Sequence, residues 1–319
     1  MMRNGASLAT RAVLPACALL LCSAMSAAAQ APPTATDWSN IVPGEFTVTP
    51  SVTYLTENNF EMKVDIYAPR GITTPNPTVI LIHGGGWVNG SKEVAVLNAL
   101  PYMEMGWSVV NVQYRLARVS LAPAAVEDCR CALRWVIRNA EQYKFDVNKI
   151  VITGHSAGGH LSLITGMLNT AAGLDRQCPP PVSNPPDPAK TEVKVAAIVN
   201  WYGITDVGDL FEGPNQKNYA VTWAGSQLNR DEIAKRVSPL TYVRAGLPPI
   251  ITIHGDDDPT VPYAHATHLK AALDKAGVTN QLVTIPGGKH GGFTREEYRT
   301  AWEAIRAFLA KQGLTPIRR

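Results

Sequence analysis

The feature that most limits how this chain can fold is a series of short apolar runs without polar alternation. Thr78-Val79-Ile80-Leu81-Ile82 is one; Trp107 to Gln113, Ile150 to Thr153, Val195 to Asn200, Ile250 to Ile253 and Gln281 to Ile285 are similar. A strand wetted on one face alternates apolar and polar residues, whereas a strand covered on both faces does not. Helical patterns lie near residues 92–105, 123–143, 157–169, 262–277 and 294–312. Strands alternating with helices predict an α/β fold with a mainly parallel central sheet and helices on both faces. Ahead of them, Phe46 to Tyr54 and Met62 to Tyr67 flank Glu57-Asn58-Asn59 and predict a strand–turn–strand entry.

The first thirty residues stand outside that pattern. Arg3 and Arg11 precede an apolar run, Ala12 to Met25, broken by Pro15, and Ala27-Ala28-Ala29 offers a small-residue cleavage site. Residues 1–30 therefore read as a secretory signal peptide, the run being too short for a membrane span. The expectation is an exported protein, periplasmic or secreted, with no membrane span after cleavage. Cleavage removes two of 29 basic and none of 26 acidic residues, so the mature chain is nearly neutral. With no basic block or stripe, nucleic acid is not an expected partner. Of five cysteines, Cys129, Cys131 and Cys178 remain. Export permits a disulfide, and Cys178 can close onto Cys129 or Cys131, or all three can stay free.

No polar linker divides residues 31–319, which are read as one domain of a length that buries a substantial core. Two interruptions stand out. Residues 170–192 hold six Pro between Pro179 and Pro188 and predict an irregular loop. Residues 204–247 mix Gly, Pro, Asn and aromatic residues in short pieces, the composition of a lid-like insertion or pocket wall.

Three separated motifs carry chemistry. In Lys149-Ile150-Val151-Ile152-Thr153-Gly154-His155-Ser156-Ala157-Gly158-Gly159, a strand meets a glycine turn and then a helix start. That is the context of a nucleophile elbow, in which Ser156 stands clear at the carboxyl edge of a sheet. Next, the run ending at Ile82 continues into His83-Gly84-Gly85-Gly86-Trp87. Its glycine amides can approach a ligand oxygen closely, so Gly85, Gly86 and Ala157 are the expected oxyanion-hole donors, with the Trp87 amide as rival. His83 reads as a structural hydrogen-bonding residue.

A nucleophilic serine needs a base, and the base needs an orienting carboxylate. Of the seven His, His254 and His290 follow late strand-like runs. The order Ser, acid, His is met by Ser156, an Asp among 256–258, and His290. His254 precedes its acid and, with Gly255 after it, reads as a turn residue. His155 and His160 flank the elbow too closely to reach back to the hydroxyl. His265 and His268 are spaced as half a metal site, but a solvated helix face explains them more simply, and no metal is expected.

These motifs, together with Val64-Asp65-Ile66-Tyr67-Ala68-Pro69, Tyr114-Arg115-Leu116, His254-Gly255-x-x-Asp258-x-x-Val261-Pro262 and His290-Gly291, resemble the α/β-hydrolase superfamily. More narrowly they are similar to secreted bacterial esterases of the BD-FAE type, related to feruloyl and acetyl xylan esterases. The resemblance covers roughly residues 45–312 and implies Ser156 as nucleophile, Asp258 as acid and His290 as base. The hormone-sensitive-lipase-like branch shares two of the motifs, but here the acid motif differs and the N-terminal segment is β-like.

The implied reaction is two-step acyl transfer on short-chain or aromatic esters, small or polysaccharide-linked, needing no cofactor. Trp87, Trp201, Tyr202, Tyr219 and Trp223 are expected near the carboxyl edge, where an aromatic acyl group could stack. A peptidase or arylformamidase-like amidase on the same fold, and a binding protein on an inactive hydrolase fold, are the competing readings.

Overall fold

A computed structural model describes residues 1–2, 44–178 and 193–317 of the chain. Nearly all of the expected signal peptide and residues 179–192 of the Pro-rich loop lie outside the described residues.

The apolar runs form one sheet of strands β1 (Phe46–Glu57), β2 (Phe60–Pro69), β3 (Asn76–Ile82), β4 (Ser108–Val112), β5 (Phe145–His155), β6 (Ala197–Trp201), β7 (Ile250–Gly255) and β8 (Asn280–Ile285). Their spatial order is β1-β2-β4-β3-β5-β6-β7-β8. The β1–β2 hairpin turns at Asn58 and Asn59, both left-handed, and pairs antiparallel with β4. Every pairing from β4 onward is parallel.

Helices α1 (Lys92–Ala95), α2 (Leu100–Glu104), α3 (Ala124–Arg138), α4 (Ala140–Tyr143), α5 (Ala157–Met167), α6 (Asn218–Ala224), α7 (Arg230–Val237), α8 (Ala264–Lys275) and α9 (Arg295–Lys311) follow in chain order. The helix expected near 92–105 is broken in two by a 3-10 turn, with Pro101 in the first turn of α2, where its missing N–H costs nothing. Helix α9 opens with a capping box between Thr294 and Glu297.

The lack of polar alternation has a direct cause. In β3, Ile80 and Ile82 join the apolar layer under α3, α5 and α8, while Val79 and Leu81 join the layer under α2 and α9. Each such buried side chain contributes about 1.5–3 kcal/mol. Among the cysteines, Cys131 on α3 is bonded to Cys178, while Cys129 is a buried free thiol. Among the described residues no helix is long and apolar enough to cross a membrane.

Because the sheet is parallel from β4 onward, β3, β5 and β7 deliver their following loops to the same edge, as does β8. Those loops carry His83 to Trp87, Ser156, Asp258 and His290.

Candidate active site

Ser156 bridges β5 and α5 with φ 56° and ψ −122°, a left-handed conformation that costs a non-glycine residue about 1–3 kcal/mol. Its amide donates to Trp201 O at 2.9 Å, and its carbonyl accepts from His160 N at 3.0 Å. The flanking glycines follow from crowding against β3. A Cβ at Gly154 would lie 2.5 Å from Ile82 O, and one at Gly158 only 2.1 Å from it.

The elbow aims Ser156 Oγ at His290 Nε2, 2.8 Å away. On the far side of the ring, His290 Nδ1 is 2.7 Å from Asp258 Oδ2. The other carboxylate oxygen of Asp258 accepts the amides of Thr260 and Val261 at 2.8 and 3.0 Å. Burial opposes charge on Asp258, but its hydrogen bonds to His254 and His290 hold the carboxyl well below the usual carboxylate range. The two neighbouring acids are engaged elsewhere. Asp256 accepts the Gly287 amide, and Asp257 pairs with Lys289 on the surface. Among the three, only Asp258 meets His290.

Beside the serine, Gly85 (φ 112°) and Gly86 (φ 59°) turn the loop after β3 sharply back on itself. The Gly85 carbonyl accepts the amides of Val88 and Asn89, at 3.1 and 2.9 Å. The amides of Gly85 and Gly86 donate no hydrogen bond among the described residues. Ala157 N belongs to the first turn of α5, where helix geometry supplies no acceptor. His83 lies beneath, its Nδ1 against Gly84 O at 2.8 Å and its ring stacked on Tyr114. Burial pushes its pKa down to about 4, and it takes no part in the serine–histidine contact.

These groups open on a cavity of about 420 Å³. Gly85, Gly86, Ser156 and His290 line it together with His155, Tyr202, Tyr219 and Thr260.

The family model for BD-FAE matches residues 64–273, well over half of the chain. The chain belongs to the BD-FAE family. The matched segment holds Ser156 and Asp258 and ends before His290. Esterase LipC of Mycobacterium tuberculosis is 30% identical over 239 residues, 72% of this chain and 56% of that protein. The chain spans about half the length of the curated relatives it matches. A propionate-bound esterase of Thermogutta terrifontis has TM-score 0.68 at 26% identity, covering 87% of this chain and 98% of its own. A truncated carbohydrate esterase from gut microbiota has TM-score 0.68 at 28% identity, covering 84% and 97%.

Not every residue expected around the cavity of this BD-FAE chain reaches it. Tyr202 and Tyr219 do. Trp87 and Trp223 are 0% exposed and Trp201 is 1% exposed, and none of the three lines the cavity. Trp87 stacks on Trp223 at 4.1 Å in the layer beneath the loop, where large aromatic rings exclude the most water. Trp201 packs between His155 and Trp302 of α9.

The His265–His268 pair does not converge either. His265 is buried, its Nδ1 accepting the Thr205 amide at 3.1 Å, while His268 is exposed. His265 is thus a core residue that ties α8 to the loop at 205, and the solvated-face expectation fails for it. Among the described residues no cluster of three or more His, Cys, Asp or Glu could hold a metal ion.

Sequence reasoning missed His254, whose Nε2 donates to Val261 O at 3.0 Å and lies 3.3 Å from Asp258 Oδ2. Its spacing four residues before Asp258 was the available signal. Thr260 and Asn89, which also line the cavity, had none.

Proposed function

We propose that the protein is a serine carboxylic-ester hydrolase with Ser156 as nucleophile, His290 as general base and Asp258 as the orienting acid. The observation that carries this reading is the unbroken hydrogen-bond chain from Asp258 through His290 to Ser156, opening beside glycine amides without acceptors.

His290 Nε2 takes the hydroxyl proton as Ser156 Oγ bonds to the ester carbonyl carbon. Negative charge moves to the carbonyl oxygen, which the Gly85, Gly86 and Ala157 amides receive, each strong donor being worth roughly 3–4 kcal/mol. Asp258 fixes the tautomer of His290 and stabilises the imidazolium. The carbon–oxygen bond then breaks, His290 returns the proton to the departing alcohol, and an acyl-serine remains. Water repeats the sequence, freeing the acid and restoring the serine. Every step uses protein groups and water alone.

The proposed substrates are small esters with short acyl groups. The cavity lies toward the lower end of the usual range for ligand sites, and the Thermogutta terrifontis neighbour was obtained with propionate bound. With Trp87, Trp201 and Trp223 buried, only Tyr202 and Tyr219 of the five expected aromatic residues are left for a feruloyl ring to stack on, so aromatic esters come second. An acetyl group carried on a polysaccharide fits the same chemistry and is supported by the carbohydrate esterase likeness. Export from the cytoplasm is the matching destination, supported by the charged and apolar N-terminal pattern and by the Cys131–Cys178 bond.

The test compares the wild type with Ser156→Ala on p-nitrophenyl acetate, butyrate and octanoate, methyl ferulate and acetylated xylan. Hydrolysis that falls from acetate to octanoate and disappears in the variant is expected. Wild-type silence on every ester, with the fold intact, overturns the reading.

A further inference from the structure

Trp87 directly follows the glycine run and is the first residue of that segment with a large side chain to anchor. Its backbone is left-handed, φ 61°, a conformation that a bulky residue keeps only where its surroundings hold it. The indole Nε1 donates to His160 Nδ1 at 3.1 Å, and His160 Nε2 donates to Val237 O at 2.7 Å. The direction of this chain is forced. A ring that donates from Nε2 and accepts at Nδ1 is a neutral imidazole, and complete burial keeps it so, lowering the pKa of His160 to about 4. The Trp87 ring stacks on Trp223 and lies 5.8 Å from Tyr219, both on α6.

One side chain therefore joins three parts of the fold. The loop after β3 contributes Trp87, and α5 contributes His160, four residues beyond the serine. The 204–247 segment supplies Val237 at the end of α7 and Trp223 on α6. Neither Trp87 nor His160 lines the cavity.

We propose that Trp87 and His160 are positioning residues: their indole–imidazole–carbonyl chain fixes the 85–87 backbone so that the Gly85 and Gly86 amides meet the developing oxyanion. This rests on the serine-esterase reading above and deepens it, making the 204–247 segment part of what shapes the oxyanion site. The amides bind charge that exists only in the transition state, so a disturbed anchor lowers kcat and leaves KM nearly unchanged. A small misplacement of such donors costs about ten- to a hundredfold.

The test uses purified wild type, Ser156→Ala, Trp87→Phe, His160→Gln, His160→Asn and the Trp87→Phe/His160→Gln double variant. Each is measured for kcat and KM on p-nitrophenyl butyrate, for thermal midpoint, and for inhibition by a trifluoromethyl ketone. That probe adds a serine oxygen and carries an oxyanion. Gln keeps a donor near the place of Nε2 and loses the acceptor for Trp87, whereas Asn keeps an acceptor near the place of Nδ1.

Trp87→Phe and His160→Gln are expected to lose about ten- to a hundredfold in kcat at similar KM, with ketone affinity falling by the same factor. The double variant should lose no more than the worse single one, and His160→Asn should keep more activity than His160→Gln. If Trp87→Phe does not fold, the two His160 variants make the comparison alone. Full kcat in the folded variants, a loss confined to KM or to thermal midpoint, or losses that multiply in the double variant overturn the proposal. Activity surviving in Ser156→Ala is a separate result, overturning the serine reading beneath it.

Discussion

His254 Nε2 lies 3.3 Å from Asp258 Oδ2, the same oxygen that meets His290 Nδ1 at 2.7 Å. The second oxygen of Asp258 already accepts the amides of Thr260 and Val261, so N–H groups lie against both oxygens of the carboxylate. A buried acid so surrounded stays ionised, and the His290 ring it faces has one favourable orientation. His254, the second-last residue of β7, is therefore a strand residue that braces Asp258 and not a turn residue.

Replacing that acid by its isosteric amide separates charge and geometry from bulk. Asp258→Asn keeps a carbonyl oxygen for the Thr260 and Val261 amides but can present an N–H to His290, favouring the wrong tautomer. We expect kcat to fall about 10³–10⁴-fold with the circular dichroism spectrum unchanged. Asp256→Asn and Asp257→Asn, whose carboxylates bind Gly287 and Lys289, should stay near wild type. Initial rates on p-nitrophenyl acetate decide it, and a larger loss at 256 or 257 than at 258 would move the acid.

Acid stability should be governed by four histidines other than His290. Burial, ahead of any other cause, lowers His83, His155, His160 and His265 to about 4 in the folded state. An unfolded histidine titrates near about 6.5, so as pH falls the unfolded chain takes up protons before the folded one. Their stabilising effect is therefore full above about pH 6.5 and is lost progressively down to about 4. Asp258 acts in the same direction in a lower window, its share being present above the unfolded carboxylate value of about 3.9 and lost only in stronger acid. Urea unfolding between pH 7 and 4 should show a falling midpoint and a proton uptake approaching four. A flat midpoint across that interval would contradict the burial of these rings.

The sheet and the meeting of Ser156, Asp258 and His290 were legible because each depends on local constraint. Strands buried on both faces must be apolar throughout, and the turn at Ser156 must have small neighbours wherever Ile82 O crosses so close. What was not legible depends on where side chains turn. Trp201 and Tyr202 are sequence neighbours and both pack into the layer under α9, yet only Tyr202, at φ 40°, also reaches the cavity. No periodicity records such a torsion. The Trp87–Trp223 stack and the capture of His265 by the loop at Thr205 join distant segments, so composition at either end could not reveal them.

The Cys131–Cys178 bond links positions 47 residues apart, and the span between them includes α5 and Ser156. Closing a loop of that size stabilises a fold by about 4 kcal/mol in the chain-entropy account. The same segment is also held through Asp175, paired with Arg130 and Arg134 of α3. Cys131→Ser should therefore lower stability by about 2–4 kcal/mol while kcat at 25 °C stays unchanged in the folded protein. Cys129 is buried, and burial followed by the nearby Asp128 pushes its thiol pKa well above the ordinary value. It should resist thiol reagents until the protein unfolds. Equal urea midpoints with and without reductant would leave the bond without a stabilising role.

Gly86 offers the most direct check on the loop that faces the serine. Its φ of 59° is readily open to glycine, and an added Cβ would lie 2.8 Å from Tyr219 Cβ on α6. Gly86→Ala must therefore shift the loop or displace Tyr219, and either movement takes the proposed oxyanion amide out of line. The expected cost is about 10²–10³-fold in kcat on p-nitrophenyl acetate, the loss of one strong donor. Tyr219→Phe serves as the contrast, because it removes only the hydroxyl that donates to Thr260 O at 3.0 Å. That loss should cost about 1 kcal/mol of stability and leave kcat within a few-fold. Should Gly86→Ala retain wild-type kcat, the amide of residue 86 is not a donor, and the burden falls on Gly85 and Ala157.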